Sequence, residues 1–217
     1  KVGGETTYFF SDIAYLKNKF QRGFSRLIFF WGADHYGYIG RIKAAAEAMG
    51  FKKEKIDIII MQLVRLMQTG QEVKMSKRSG IYITIDELID EVGLDVARFF
   101  FLTRGPDTHL NFDLDLAKEQ SEKNPVFYIQ YAYARIHSIL AKSKIQNQKS
   151  KINSESLKHE SELKLIKQLI RLPEVVEDTA KDYQVQRLPQ YATDLATAFH
   201  QFYRDCQVLV ETRSLRK

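Results

Sequence analysis

Residues 27–32, Leu27-Ile28-Phe29-Phe30-Trp31-Gly32, form an unbroken apolar run closed by a glycine. Such a run is long enough for a strand and too short for a helix. Without polar alternation it predicts a strand buried on both faces of a parallel sheet. Downstream, Ile39–Met49 has helical spacing and stops at Gly50, the residue type that helix ends favour. Asp57–Leu63 is a second buried-strand candidate. Strand, helix and strand in succession make a βαβ unit, hence a parallel sheet whose ligands gather at the strands' carboxyl ends. Upstream, Thr6–Phe20 reads as a helix from Tyr8, Phe9, Ile13 and Leu16.

Beyond the second strand the pattern changes. Thr84-Ile85-Asp86-Glu87 is a capping box for a helix ending at Gly93, and Asp95–Thr103 reads as another, packing Val96, Phe99, Phe100 and Leu102. From about Asp113 everything reads as helix. Asn124-Pro125 is a start signal, with Ile129, Ala132, Tyr133, Ile136 and Leu140 following at helical spacing. Lys142–Lys158 is polar and basic and reads as an exposed loop or linker. Two helices interrupted at Pro173 follow. A last one carries Tyr191, Leu195, Phe199, Phe202 and Cys206 on one stripe. The fold class is therefore α/β followed by all-α, as two domains or one domain with a helical appendage.

The chain has 217 residues, 44% of them hydrophobic, which excludes wholesale disorder. No apolar run reaches the ~20 residues of a membrane span, and the N-terminal residues do not read as a signal peptide. Cys206 is the sole cysteine, so no disulfide can form within the chain, as suits a reducing compartment. The thiol reads most simply as a small buried hydrophobe. The net charge of +6 is compatible with a polyanionic partner without naming one.

Residues 71–80, Gln-Glu-Val-Lys-Met-Ser-Lys-Arg-Ser-Gly, place Lys74 and Lys77 around Ser76, with Gly80 as a hinge. Two ammonium groups in one small volume suit a polyphosphate, whose growing charge they offset during displacement. From residue types alone a solvated charged turn serves equally.

Lys74-Met75-Ser76-Lys77 resembles the second signature of class I aminoacyl-tRNA synthetases, with Arg78 where that signature usually has Ser. Trp31-Gly32-Ala33-Asp34-His35, the Arg41–Gly50 helix and Val73–Gly80 resemble bacterial-type arginyl-tRNA synthetase. So do Gly105-Pro106-Asp107-Thr108, Phe112–Gln120 and Asn124–Ile136, in order along nearly the whole chain. The resemblance implies the second half of a Rossmann-like class I synthetase catalytic domain (residues 1–112), followed by a helical anticodon-binding domain (113–217) that is incomplete at its C-terminus. It implies ATP-dependent activation of arginine and transfer to the 3′ end of its tRNA.

By position, the resemblance gives Lys74 and Lys77 catalytic roles and places Met75 and Ser76 at ATP. Tyr8 and Asp12 match the Tyr and Asp, four apart, that contact arginine. That pairing makes physical sense, since i and i+4 face one way on a helix and a carboxylate meets a guanidinium's fork of donors. Asp34 is expected at the arginine, and His35 and Gln62 on the adenosine side. Tyr128, Tyr131 and Arg135 are candidate tRNA contacts, because unstacked bases lie on rings and phosphates meet cations. Tyr and Phe at helical spacing also serve as ordinary core, and a lysine run as a solvated face.

Implied too are L-arginine, its tRNA and ATP with Mg2+ as substrates, no tightly bound cofactor, no structural metal, no membrane, a monomer and a cytoplasmic location. The first class I signature, HIGH, does not occur in this sequence, and the chain opens Lys1-Val2-Gly3-Gly4 without a Met. The expectation is a piece of a longer synthetase that does not activate arginine alone. The rival expectation is a stand-alone, synthetase-derived tRNA-binding module without ligase activity.

Overall fold

The computed structural model describes residues 7–73, 83–143 and 157–208. The lysine loop at 74–80 and most of the basic stretch after Lys142 lie outside these residues. The chain falls into two compact units: one of residues up to Arg65 with Pro106–Leu110, the other of Leu66–Gly105 and everything from Asn111 onward. These units do not coincide with the division at 112/113 expected from the change to an all-helical pattern.

The first unit is built on the βαβ unit. Helix α1 (Tyr8–Gln21) precedes β1 (Leu27–Gly32), which leads through a 3-10 turn (Ala33–Tyr38) into α2 (Ile39–Ala48) and then β2 (Ile56–Met61). β1 and β2 pair in parallel from Leu27 opposite Ile56 to Gly32 opposite Met61. Leu16, Leu27, Ile42, Ala46 and Ile56 form the buried core, with Phe9, Phe20, Trp31 and Phe51 around it. Each of these Leu and Ile side chains contributes roughly 2 kcal/mol by leaving water. The end of α2 uses its glycine fully. Gly50 sits at φ +82°, its N–H donates to the Glu47 carbonyl, and Phe51 N–H donates to the Ala46 carbonyl. That arrangement turns Phe51 back onto the core, where its ring stacks on Phe20 at 4.2 Å.

The expected burial of β1 on both faces is not observed. Leu27, Phe29 and Trp31 face the core, whereas Ile28 and Phe30 are exposed. Among the described residues, nothing buries the second face. A run of apolar residues cannot by itself distinguish a covered face from an open one.

The second unit begins within β3 (Val64–Gln68), which forms an antiparallel hairpin with β4 (Gln71–Glu72). The turn is Thr69-Gly70, both at positive φ (51° and 73°), the primed geometry that matches strand twist. Residue Asp115 supports it by accepting from Thr69 N–H at 2.5 Å. A short strand, β5 (Leu110–Asp113), lies beside β3 in the order β4-β3-β5. Neither the hairpin nor β5 is expected from the sequence; β5 ends at Asp113, and the regular elements described beyond it are all helices, as expected.

The capping box forms as expected. Thr84 Oγ1 accepts from Glu87 N–H, and the Glu87 carboxylate accepts from Thr84 N–H at 2.7 Å, starting α3 (Ile85–Val92). Helix α4 (Leu94–Phe101) buries Ala97 and Phe100, while Leu102 lies past its end and is partly exposed, against expectation. After α5 (Leu114–Lys118) comes Asn124, buried to 3% exposure. Its amide donates to the Ala117 and Glu119 carbonyls, and its Oδ1 accepts from Val126 N–H at 3.0 Å. This residue both starts α6 (Pro125–Ser143) and fastens it to α5. Helices α7 (Glu160–Ile170) and α8 (Leu172–Asp182) meet at Pro173, and both pack with α6 against α9 (Arg187–Asp205) around Ala132, Ala196 and Phe199.

Candidate functional site

The carboxyl end of β1 carries the first cluster. Gly32 is followed at once by the turn bearing Asp34 and His35. An added Cβ at Gly32 would lie 2.7 Å from Asp34 Oδ1, so the Asp34 side chain folds back over the strand end only because residue 32 has no side chain. Asp34 Oδ2 lies 3.6 Å from His35 Nε2, with both side chains open to solvent. The His35 ring sits between Trp31 (6.3 Å) and Tyr38 (6.0 Å). Tyr38 in turn receives Phe9 at 6.0 Å and the Arg41 guanidinium at 5.1 Å.

This aromatic chain ties the amino end of α1 to the strand end. Tyr8 and Asp12 lie on the same helix stripe as the buried Leu16 but nearer the amino end of α1, where both are exposed, Tyr8 at 94% exposure. An exposed ring and a carboxylate one turn apart can meet a guanidinium, the ring by its face and the carboxylate by charge-assisted hydrogen bonds. Gln62 follows Met61, the register partner of Gly32, so it leaves the sheet at the same level as the Asp34 turn. Its N–H donates to the Pro106 carbonyl at 2.7 Å. Asp34, His35 and Gln62 thus share one end of one sheet. Lys74, Met75, Ser76 and Lys77 lie outside the described residues. Val73, just before them, is held by its N–H to the Leu66 carbonyl at 2.8 Å, and the Thr84 capping box stands shortly after them.

The helical unit carries a second cluster. The Tyr128 ring is half-buried between α6 and α9, 4.5 Å from the His200 ring, and the Tyr128 carbonyl lies 3.3 Å from His200 Nε2. Tyr131 and Arg135, one turn apart, reach the surface together. Arg135 Nη2 donates to the Tyr131 hydroxyl at 2.7 Å, and its guanidinium lies 4.4 Å from the Tyr131 ring and 4.5 Å from the Tyr203 ring of α9. The Tyr131–Arg135 spacing is visible in the sequence. Tyr203 is not, because it arrives from another helix. Among the described residues, no group of three or more His, Cys, Asp or Glu side chains is placed to hold a metal ion, and no helix is long and apolar enough to cross a membrane.

The model of the DALR anticodon binding domain matches residues 129–217. The arginine–tRNA ligase of Heliobacterium modesticaldum is 52% identical over the whole chain, which spans 40% of that protein. A solved structure from Campylobacter jejuni, assigned as an arginyl-tRNA synthetase, superposes with a TM-score of 0.85 at 37% identity, over 95% of this chain and 45% of that one. The arginyl-tRNA synthetase of Plasmodium falciparum shares the fold (TM-score 0.74, 22% identity, 97% of this chain and 40% of that one). The chain thus spans about 40% of the length of the curated relatives it matches. From end to end it matches the C-terminal portion of the arginyl-tRNA synthetases, with a DALR anticodon binding domain in its helical half.

Proposed function

We propose that this chain serves in the ligation of arginine to its tRNA: ATP-dependent activation of arginine, then transfer to the tRNA 3′ end. The observation that carries the reading is the 52% identity to an arginine–tRNA ligase along the entire chain. In this reading residues 1–112 belong to catalysis and 113–217 to the anticodon. The Asp12 carboxylate takes the arginine guanidinium, with the Tyr8 ring alongside and Asp34 adding negative charge at the strand end. His35 and Gln62 face the adenosine. Lys74 and Lys77 neutralise the phosphates of ATP, which enters with Mg2+, while Met75 and Ser76 complete that loop. The site is expected to work in the cytoplasm, in a monomer.

The geometry supports the division of labour. A carboxylate and an exposed ring one turn apart suit a guanidinium, and the carboxyl end of a parallel sheet suits a nucleotide. The test is binding of the 217-residue chain to an arginine tRNA and to a copy with a substituted anticodon, across a salt series. Tighter binding of the correct anticodon at every salt concentration supports the reading. Equal binding of both that collapses with salt is phosphate attraction alone and overturns it for the helical half.

A further inference from the structure

The first turn of α1 is held by little. Its N-cap residue, Thr7, makes no side-chain capping hydrogen bond, and the turn carries no acidic side chain to meet the helix dipole. Of Tyr8, Phe9, Phe10 and Ser11, only Phe9 turns inward, and the other three are exposed. Leu16, the buried residue of the helix, stands two turns further on. An uncapped turn with one inward side chain belongs to the least stable part of a fold. What meets that side chain decides where the turn rests.

Tyr38 meets it. The Phe9 ring lies 6.0 Å from the Tyr38 ring, tilted by 53°. Tyr38 closes the turn that follows β1 and is the N-cap residue of α2. Its ring has two further neighbours, His35 edge-on at 6.0 Å and the Arg41 guanidinium, from the first turn of α2, at 5.1 Å. Three elements thus touch a single side chain, and rings paired in this way favour a defined geometry.

In the arginine-binding reading, Tyr8 and Asp12 meet the guanidinium from α1, and Asp34 stands at the strand end. L-Arginine carries two cations, the guanidinium and the α-ammonium. Carboxylates on two separate elements grip both only when the elements keep one spacing. We infer that Tyr38 is a positioning residue for this site. Through Phe9 it sets the first turn of α1 relative to the strand end, and with it the spacing of Asp12 and Asp34. Tyr38 acts through Phe9 and needs no contact with substrate. Its role rests on the arginine-binding reading above and adds to it the ring path Phe9–Tyr38–His35.

Two ligands separate positioning from mere support. Methylguanidine meets the α1 pair alone, whereas L-arginine reaches both elements. Their dissociation constants for the 217-residue chain are read by NMR shift titration. Tyr38→Leu is expected to weaken L-arginine binding by about tenfold and to leave methylguanidine within about twofold of the parent. Tyr38→Phe, which keeps the ring, is expected to hold L-arginine binding within about twofold of the parent. Phe9→Leu removes the same ring contact from the other side and should give the same loss, with the double variant losing no more than either single change. Unchanged L-arginine binding in Tyr38→Leu discards the positioning role and leaves the arginine reading standing. Equal loss for both ligands means that the first turn itself has come apart, and overturns the role, as do additive losses in the double variant. A parent chain that binds L-arginine no tighter than methylguanidine has no second contact to position, which discards the role while the α1 pair stands. A parent that binds neither removes both readings. Phe9→Leu keeps the test decisive where Tyr38→Leu fails to fold.

Discussion

Replacing Asn124 by Ala should be among the most damaging single changes in the helical unit. The side chain is 3% exposed and makes three hydrogen bonds: two from its amide to the Ala117 and Glu119 carbonyls, and one to its Oδ1 from Val126 N–H. Alanine leaves all three main-chain groups without that partner. At about 1 kcal/mol for each bond, the loss is about 3 kcal/mol. With an m-value of about 2 kcal/mol/M, the urea midpoint followed by far-UV circular dichroism falls by about 1.5 M. Asn124→Asp sharpens the test. The aspartate keeps the Val126 acceptor but turns a carboxylate oxygen toward two carbonyls that had received hydrogen bonds. Burial and that repulsion raise its folded-state pKa above the unfolded value, so the protonated form fits best. The deficit is then largest at neutral pH and shrinks as pH falls toward the unfolded carboxylate range. A loss below about 1 kcal/mol for Asn124→Ala, or an Asn124→Asp chain as stable as the parent at neutral pH, would refute the claim that Asn124 fastens α6 to α5.

Other outcomes follow from single features. Gly70→Val forces a β-branched side chain into the left-handed region at φ +73° and should cost about 1–2 kcal/mol in thermal unfolding. Asp182 accepts two hydrogen bonds from Arg187 at 2.6 and 2.7 Å and one from Gln184 N–H, and these hold its carboxyl below the usual range. Its contribution is therefore complete above the unfolded value of about 4 and lost as pH falls through the folded one. Melting curves of the parent and Asp182→Asn should differ at neutral pH and converge in acid. Thr84→Ala removes the cap from α3 and should cost about 1 kcal/mol, read by urea unfolding. Gly32→Ala places its Cβ against Asp34 Oδ1, the end of a mobile exposed side chain. Stability should then change by less than about 0.5 kcal/mol, while Asp34 turns away from the strand end. Unaltered arginine binding in that variant would remove Asp34 from the proposed site.

Local signals were legible in the sequence wherever chemistry and position coincide. Thr84 with Glu87, Asn124 with Pro125, Gly50 after α2 and Pro173 in the first turn of α8 all carry their structural reason within a few residues. The β3–β4 hairpin escaped because its turn uses Thr69 at positive φ, where Asn or Gly is the usual sign. Strand β5 has only four residues and gains its identity from the chain beside it. Ile28 and Phe30 are as apolar as their core-facing neighbours, so the run itself does not tell which face the described residues cover. Of the proposed sites, Tyr8 with Asp12 and Tyr131 with Arg135 could be read as one-turn pairs. The contact of Arg135 with Tyr203 could not, since it forms only when α9 packs on α6.

Trp31 and Cys206 are each the only residue of their kind in the chain. The tryptophan ends a strand of the first unit beside His35, and the cysteine lies in the second unit. The unmodified sequence therefore already contains a donor chromophore and a unique attachment point for an acceptor dye. Energy transfer between them, read in solution before and after tRNA is added, turns the separation of the two units into an optical signal, and Trp31 emission alone follows the strand end that bears Asp34.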